Sequence, residues 1–101
     1  MITVFAEIKV KPGRRQAVLA AIETLLPAVL AEEGCGGYVP MIDLPTQLDW
    51  QKSSPDSIFM LEKWQSVHHL ELHLQMEHMH QHLEIIKDDV LDVNIHILDN
   101  A

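Results

Sequence analysis

Cysteine is almost absent from this sequence. A lone Cys35 cannot close an internal disulfide, which excludes the stapled secreted scaffolds and favours a reducing compartment. Positive charge is also scarce. Seven Lys and Arg stand against 15 Asp and Glu, a formal net charge of -8, and the basic residues form no cluster. Nucleic acids and anionic membranes are held through basic patches, so neither is an expected partner. No apolar run approaches the roughly 20 residues of a membrane span. The opening MITVFAEIKVKPG lacks the basic segment and apolar stretch of a secretory leader. A cytoplasmic protein is therefore expected. The one glycine-rich stretch, Gly34-Cys35-Gly36-Gly37, follows a predicted helix and precedes a predicted strand, the reverse of the order that a phosphate-binding loop requires. No serine or cysteine sits in a nucleophile elbow.

What remains is ordinary globular material. The 101 residues are read as one domain over 1–101, and their 48% apolar content suffices for a core. Residues 2–10 alternate as a half-buried strand does, with Ile2, Val4, Ala6, Ile8 and Val10 on one face and Thr3, Phe5, Glu7 and Lys9 on the other. Pro12-Gly13 ends that strand. Residues 14–33 carry Val18, Ile22, Leu25, Leu26 and Val29 on one helical stripe, with a kink expected at Pro27 and a stop at Gly34. Residues 37–44 read as a strand whose Pro40 suits an edge or a bulge. A polar loop follows, then a strand over 57–64. Ser66 is an expected N-cap for one helix, or two short ones, over about 67–89. Residues 90–98 alternate again, with Leu91, Val93, Ile95 and Ile97 on one face. The order β-α-β-β-α-β predicts an α+β, ferredoxin-like sandwich, an antiparallel sheet with helices on one face. The other face would carry Phe5, Glu7 and Ile58 or its neighbours. That mixture of apolar and polar groups suits a surface covered by a second copy of the sheet in a homodimer.

The stretch HHLELHLQMEHMHQH, His68 to His82, holds six of the seven histidines. At about 100° per residue on an unbroken helix, Leu72, Met76, Met79, Leu83, Ile86 and Val90 fall in one core stripe. His69, His73 and His80 then lie on its flank. Without an HExxH motif, a cysteine pair or an evident third ligand, no native metal site is expected. His68, His80 and His82 read as surface. His73 is the leading candidate to exchange protons in a pocket near neutral pH, and His78 follows if the helix breaks near Gln75. His69, Glu7, Glu62 and Tyr38 are further candidates for contact with a bound molecule. Trp64 reads as a buried wall.

Taken together, ITVFAEIKVKPG, EEGCGGY, PDSIFMLEKW and HLELHLQMEHM resemble the antibiotic-biosynthesis monooxygenase family over nearly the whole chain, and most of all its bacterial quinol monooxygenase branch. Glu62-x-Trp64, then His73-Leu74 and His78-Met79, are the most specific pieces. The resemblance implies a dimeric α+β barrel and a small aromatic substrate, such as a naphthoquinol, oxidised by dioxygen without a flavin, haem or metal cofactor. It implies His73 as base or proton relay, Trp64 as a packing wall, His78 as a second polar contact, and Tyr38 and Met41 as cavity lining. Haem-degrading relatives use an asparagine on the first strand, where this chain has Glu7, which argues against that activity. Other relatives isomerise or degrade small carbonyl compounds, a chemistry for which cationic side chains are expected; the only arginines are Arg14 and Arg15. A third reading is a non-catalytic module that binds a quinone.

Overall fold

The computed structural model describes residues 1–101. Four strands, β1 (Ile2–Val10), β2 (Cys35–Met41), β3 (Ser57–Trp64) and β4 (Val90–Leu98), form one antiparallel sheet in the order β2-β3-β1-β4. Three helices, α1 (Arg15–Leu30), α2 (Val67–Leu74) and α3 (Glu77–Ile86), complete the predicted ferredoxin-like order, with the second helix split. No helix is long and apolar enough to cross a membrane.

The register fixes which side chains share a face. Tyr38, Glu62, Val4 and Ile97 form one row across the four strands, and Pro40, Met60, Ala6 and Ile95 the next. These rows face the helices. Val4, Ala6, Met60 and Trp64 there join Val18, Ile22, Leu25 and Val29 of α1 in the core. The opposite face carries Phe5, Glu7, Val39, Met41, Phe59, Leu61 and His96. Phe5 and Phe59 stack there with centroids 5.9 Å apart. Ile58 is therefore core, and its neighbour Phe59 is the residue that belongs to the outer face.

Several expectations move. α1 runs through Pro27 to Leu30, so the proline removes one hydrogen bond without ending the helix. The segment to Gly34 is a turn, in which Glu32 N–H donates to the Val29 carbonyl and Cys35 N–H to that of Glu32. β2 starts at Cys35 and stops at Met41, and its register shift lies at Cys35/Gly37 rather than at Pro40, which sits on an edge strand. Ser66 does cap α2, its hydroxyl accepting from His69 N–H.

The largest correction concerns the histidine stretch. Met76 is extended, so the helical phase is interrupted after Leu74. α2 turns Leu70 and His73 inward, and α3 turns Met79, His82 and Ile86 inward. Leu72 and Leu83, expected in the core, are exposed, and His82, expected at the surface, is buried. A second shift follows from the irregular pairing at Lys9/Val10. It places Val90 with Val93, Ile95 and Ile97 on the helix side, and Leu91 away from them.

Candidate active site

Between α2, α3 and the sheet lies a cavity of about 480 Å³. Its walls are apolar, among them Val4, Ala6, Met60, Leu70, Met79 and Ile86. Its polar groups are few: Tyr38, Glu62, His73, His82 and Lys87. An apolar chamber with a small number of placed polar groups is what a small-molecule site looks like. The cavity exists because α2 and α3 stop short of β4, whose Val93, Ile95 and Ile97 border it while remaining half exposed.

His73 is the most constrained of these groups. Its ring is buried and lies 4.5 Å from that of Trp64, tilted by 35°, with Tyr38 edge-on at 5.5 Å. Its Nδ1 is 2.8 Å from Oε2 of Glu32. A carboxylate can only accept, so Nδ1 carries the proton, and Nε2 is the nitrogen left without a protein partner on a residue that borders the cavity. A carboxylate that orients an imidazole is the arrangement a general base needs. Glu32 is itself buried, with 4% of its side chain exposed, and the same Oε2 takes a second hydrogen bond, from His78 Nε2 at 2.8 Å.

Glu32 is held by the turn that ends α1. Gly34 has φ of +80 there, and a Cβ on it would lie 2.3 Å from the His69 ring. Only glycine fits both the backbone conformation and the approach of α2. Gln65 N–H donates to the Gly34 carbonyl at 2.8 Å, which ties this turn to the end of β3. His69 belongs to that structural junction. Its Nδ1 is 2.7 Å from the Ser66 hydroxyl, and it lies outside the cavity.

Glu62 and Tyr38 are neighbours across β3 and β2. Trp64 Nε1 donates to Glu62 Oε1 at 2.9 Å, so the fully buried indole stands behind the cavity and orients its carboxyl group. Burial pushes the Glu62 carboxyl above the usual range, an effect that the Trp64 hydrogen bond and His73 oppose. Burial, with the nearby charge of Glu62 next, pushes the Tyr38 phenol up as well, so it stays a neutral hydroxyl. Burial pushes His82 down.

The structure thus brings together Tyr38, Glu62, Trp64 and His73. It places His78 behind them, joined through Glu32 and bordering a different groove. It separates Glu7 and Met41, which lie on the opposite face of the sheet; Glu7 accepts from Ser57 Oγ at 2.8 Å. Reading the sequence overlooks Glu32, since the pairing with His73 spans 41 positions and no local pattern announces it. His82 and Lys87 are overlooked because both depend on the phase of α3. No group of three His, Cys, Asp or Glu side chains is arranged to hold a metal ion.

The family model described as antibiotic biosynthesis monooxygenase matches residues 1–84. The probable quinol monooxygenase YgiN of Escherichia coli K12 is 51% identical over 100 residues, covering 97% of this chain and 96% of that protein. YgiN of Shigella flexneri matches to the same extent. Among solved structures, a conserved protein from Methanosarcina mazei Go1 superposes with a TM-score of 0.82 at 25% identity, covering 99% of this chain and 92% of that one. A crystal structure of an antibiotic biosynthesis monooxygenase gives a TM-score of 0.82 at 24% identity, covering 100% and 99%; at that identity the likeness speaks for the fold.

Proposed function

The chain belongs to the antibiotic biosynthesis monooxygenase family, and from that premise we propose that it is a quinol monooxygenase acting as a single domain over residues 1–101. The observation that carries the reading is the Glu32–His73 pair bordering an apolar cavity of about 480 Å³, together with the likeness to YgiN. A two-ring aromatic quinol is of a size for such a chamber.

The chemistry follows from the groups present. His73 Nε2 takes a proton from one quinol hydroxyl, and Glu32 stabilises the imidazolium that forms. The quinolate is electron-rich and passes electrons to dioxygen, and the resulting oxygen species bonds to a ring carbon. Loss of water from that hydroperoxide, with the proton returned from His73, leaves a new carbonyl or hydroxyl. For a quinol with an open ring position, quinol plus dioxygen gives hydroxyquinone plus water, and all electrons come from the substrate. The reaction in this form calls on no flavin, haem or metal; the substrate fills the role a cofactor usually fills. The protein supplies a water-poor chamber, an orientation and a base. Glu62 and Tyr38 are placed to hydrogen-bond a quinol oxygen, Glu62 as a carboxylic acid when protonated, while Trp64 and His78 position Glu62 and Glu32.

The same reading includes a homodimer formed through the outer face of the sheet. Phe5, Phe59, Val39 and Leu61 form an apolar strip there. The loop after β2 presents Leu44 and Trp50, 73% and 81% exposed. Large apolar groups left this bare mark an interaction surface, and a symmetric partner covers both at once. A cytoplasmic location accords with the free thiol of Cys35.

The deciding experiment is oxygen uptake by chelator-treated protein given freshly reduced naphthoquinol, with autoxidation subtracted. Saturable uptake, with hydroxyquinone as product, is the expected result. Quinone binding without uptake would make the chain a binding module. Neither uptake nor binding would direct the search to small carbonyl compounds.

A further inference from the structure

The reaction as drawn leaves one buried histidine of the cavity unused. His82 lies in the middle of α3 with 6% of its surface exposed. Only burial perturbs it, with no hydrogen bond or charged partner contributing, yet its nitrogens are not among the sealed, unpaired polar atoms of the fold. A buried imidazole without a partner is costly unless something reaches it. Two spaces do. One is the apolar cavity. The other is a groove of about 470 Å³ between α1 and α3, open because α1 offers Ala17, Ala20, Ala21 and Ala28 to its neighbour. His82 is the single residue that lines both.

We propose that His82 carries protons between the quinol cavity and water in the groove between α1 and α3. The proposal rests on the quinol monooxygenase reading and extends it. A hydroxyquinone is a vinylogous acid and ionises at neutral pH. The balance of a turnover is therefore quinol plus dioxygen giving hydroxyquinone anion, water and one proton. That proton is released into a chamber whose other walls are mostly hydrocarbon, and it must leave before the next substrate binds. His82 takes it on the nitrogen toward the cavity and gives the proton of the opposite nitrogen to groove water. A turn of the ring then brings the bare nitrogen back toward the cavity and the protonated one toward the groove.

The surroundings suit a carrier. Burial keeps the imidazole neutral between transfers, ready to accept. The titratable groups that share its two spaces are Tyr38 on β2, Glu62 on β3, His73 on α2, and His78 and Lys87 on and just after α3. The α1 wall offers only alanines, Leu25 and Thr24, and β1 and β4 offer only apolar side chains. No other single titratable group lines both spaces; the hydrogen-bonded chain His73–Glu32–His78 also runs from the cavity to the groove, but Glu32 there already holds both imidazoles.

The test compares oxygen uptake by the full-length wild type and by His82→Gln, with reduced naphthoquinol. The variant is expected to lose about ten- to a hundredfold in kcat with KM within about twofold. Added imidazole restores kcat in a concentration-dependent way, and Ala20→Leu in the same chain, which fills the groove, removes that rescue. Wild-type kcat in His82→Gln, or a loss that no small base rescues, overturns the proposal. Should His82→Gln fail to fold, Ala20→Leu alone decides. It substitutes an exposed helical position, and a fall in kcat at constant KM supports the relay, whereas an unchanged kcat overturns it. Failure of the wild type to consume oxygen would instead remove the quinol monooxygenase reading itself.

Discussion

The two β-α-β halves of this chain have the same topology and opposite interiors. In the first half, α1 is a continuous helix whose buried residues, Val18, Ile22, Leu25 and Val29, are all apolar. They close against the sheet around Trp64, and no residue of α1 borders the cavity of about 480 Å³. In the second half the helix is broken at Met76, and its buried set includes His73 and His82 beside Leu70, Met79 and Ile86. The break lets two short helices arch over the sheet and end short of β4. One half is solid; the other is hollow and holds the candidate site. A turn at the end of the solid half supplies the buried carboxylate, Glu32, that the hollow half needs.

This contrast can be tested by damaging each half separately. The largest effect is expected from His73→Gln, which removes the proposed base and is expected to lower kcat by about 10² or more, while thermal melting followed by circular dichroism stays cooperative. Loss of cooperativity with normal activity would mean that His73 serves packing alone. Next is Glu32→Gln. A neutral amide no longer fixes the His73 tautomer or stabilises its charged form, so kcat drops about tenfold to a hundredfold and the pH profile of kcat/KM shifts. An unchanged profile would disconnect the two halves.

In the solid half, Ile22→Ala removes a fully buried side chain and is expected to lower stability by about 2–5 kcal/mol. Activity per folded molecule should not change. A chemical denaturation curve combined with oxygen uptake measures both quantities.

A smaller effect comes from pH. Burial holds His82 neutral, so its folded pKa lies below its unfolded one. Its share of stability is present above the ordinary histidine range and is lost as pH falls below about 6.5. Glu62 behaves oppositely: its raised folded pKa makes stability decline as pH rises from about 4.3. Melting curves of His82→Gln and Glu62→Gln should each flatten one side of the pH profile.

The smallest effect is expected outside both interiors. Arg14 pairs with Asp89 at 2.8 Å across the surface, and Arg14→Ala should leave activity unchanged and shift Tm only slightly. His80→Ala, exposed on α3, should be silent in both assays. A clear loss of turnover in either would place a functional surface where none is drawn.

Much of the fold was legible in the residues. The alternation in 2–10 and 90–98, the apolar stripe from Val18 to Val29 and the Ser66 cap each specify an element locally. The candidate site was partly legible. His73, Trp64, Glu62 and Tyr38 were recognisable and do come together. The sequence alone draws Glu7 and Met41 into the site, because residue type does not reveal the face of a strand until the register is known. The sequence alone places His82 at the surface, because a helix extrapolated through Gln75 carries the wrong phase beyond it.

The sequence by itself determined the element order, the family and the absence of a basic cluster, and it singled out His73 as the leading candidate. These are properties of composition, short-range periodicity and motif. The tertiary structure alone decided that Glu32 orients His73, that His78 shares the same carboxylate oxygen, and that His82 separates two spaces. Each of the Glu32 contacts joins residues more than 40 positions apart. Contacts of that kind depend on how helices settle on a sheet, which is set by the packing of the whole core and is not encoded in any single segment.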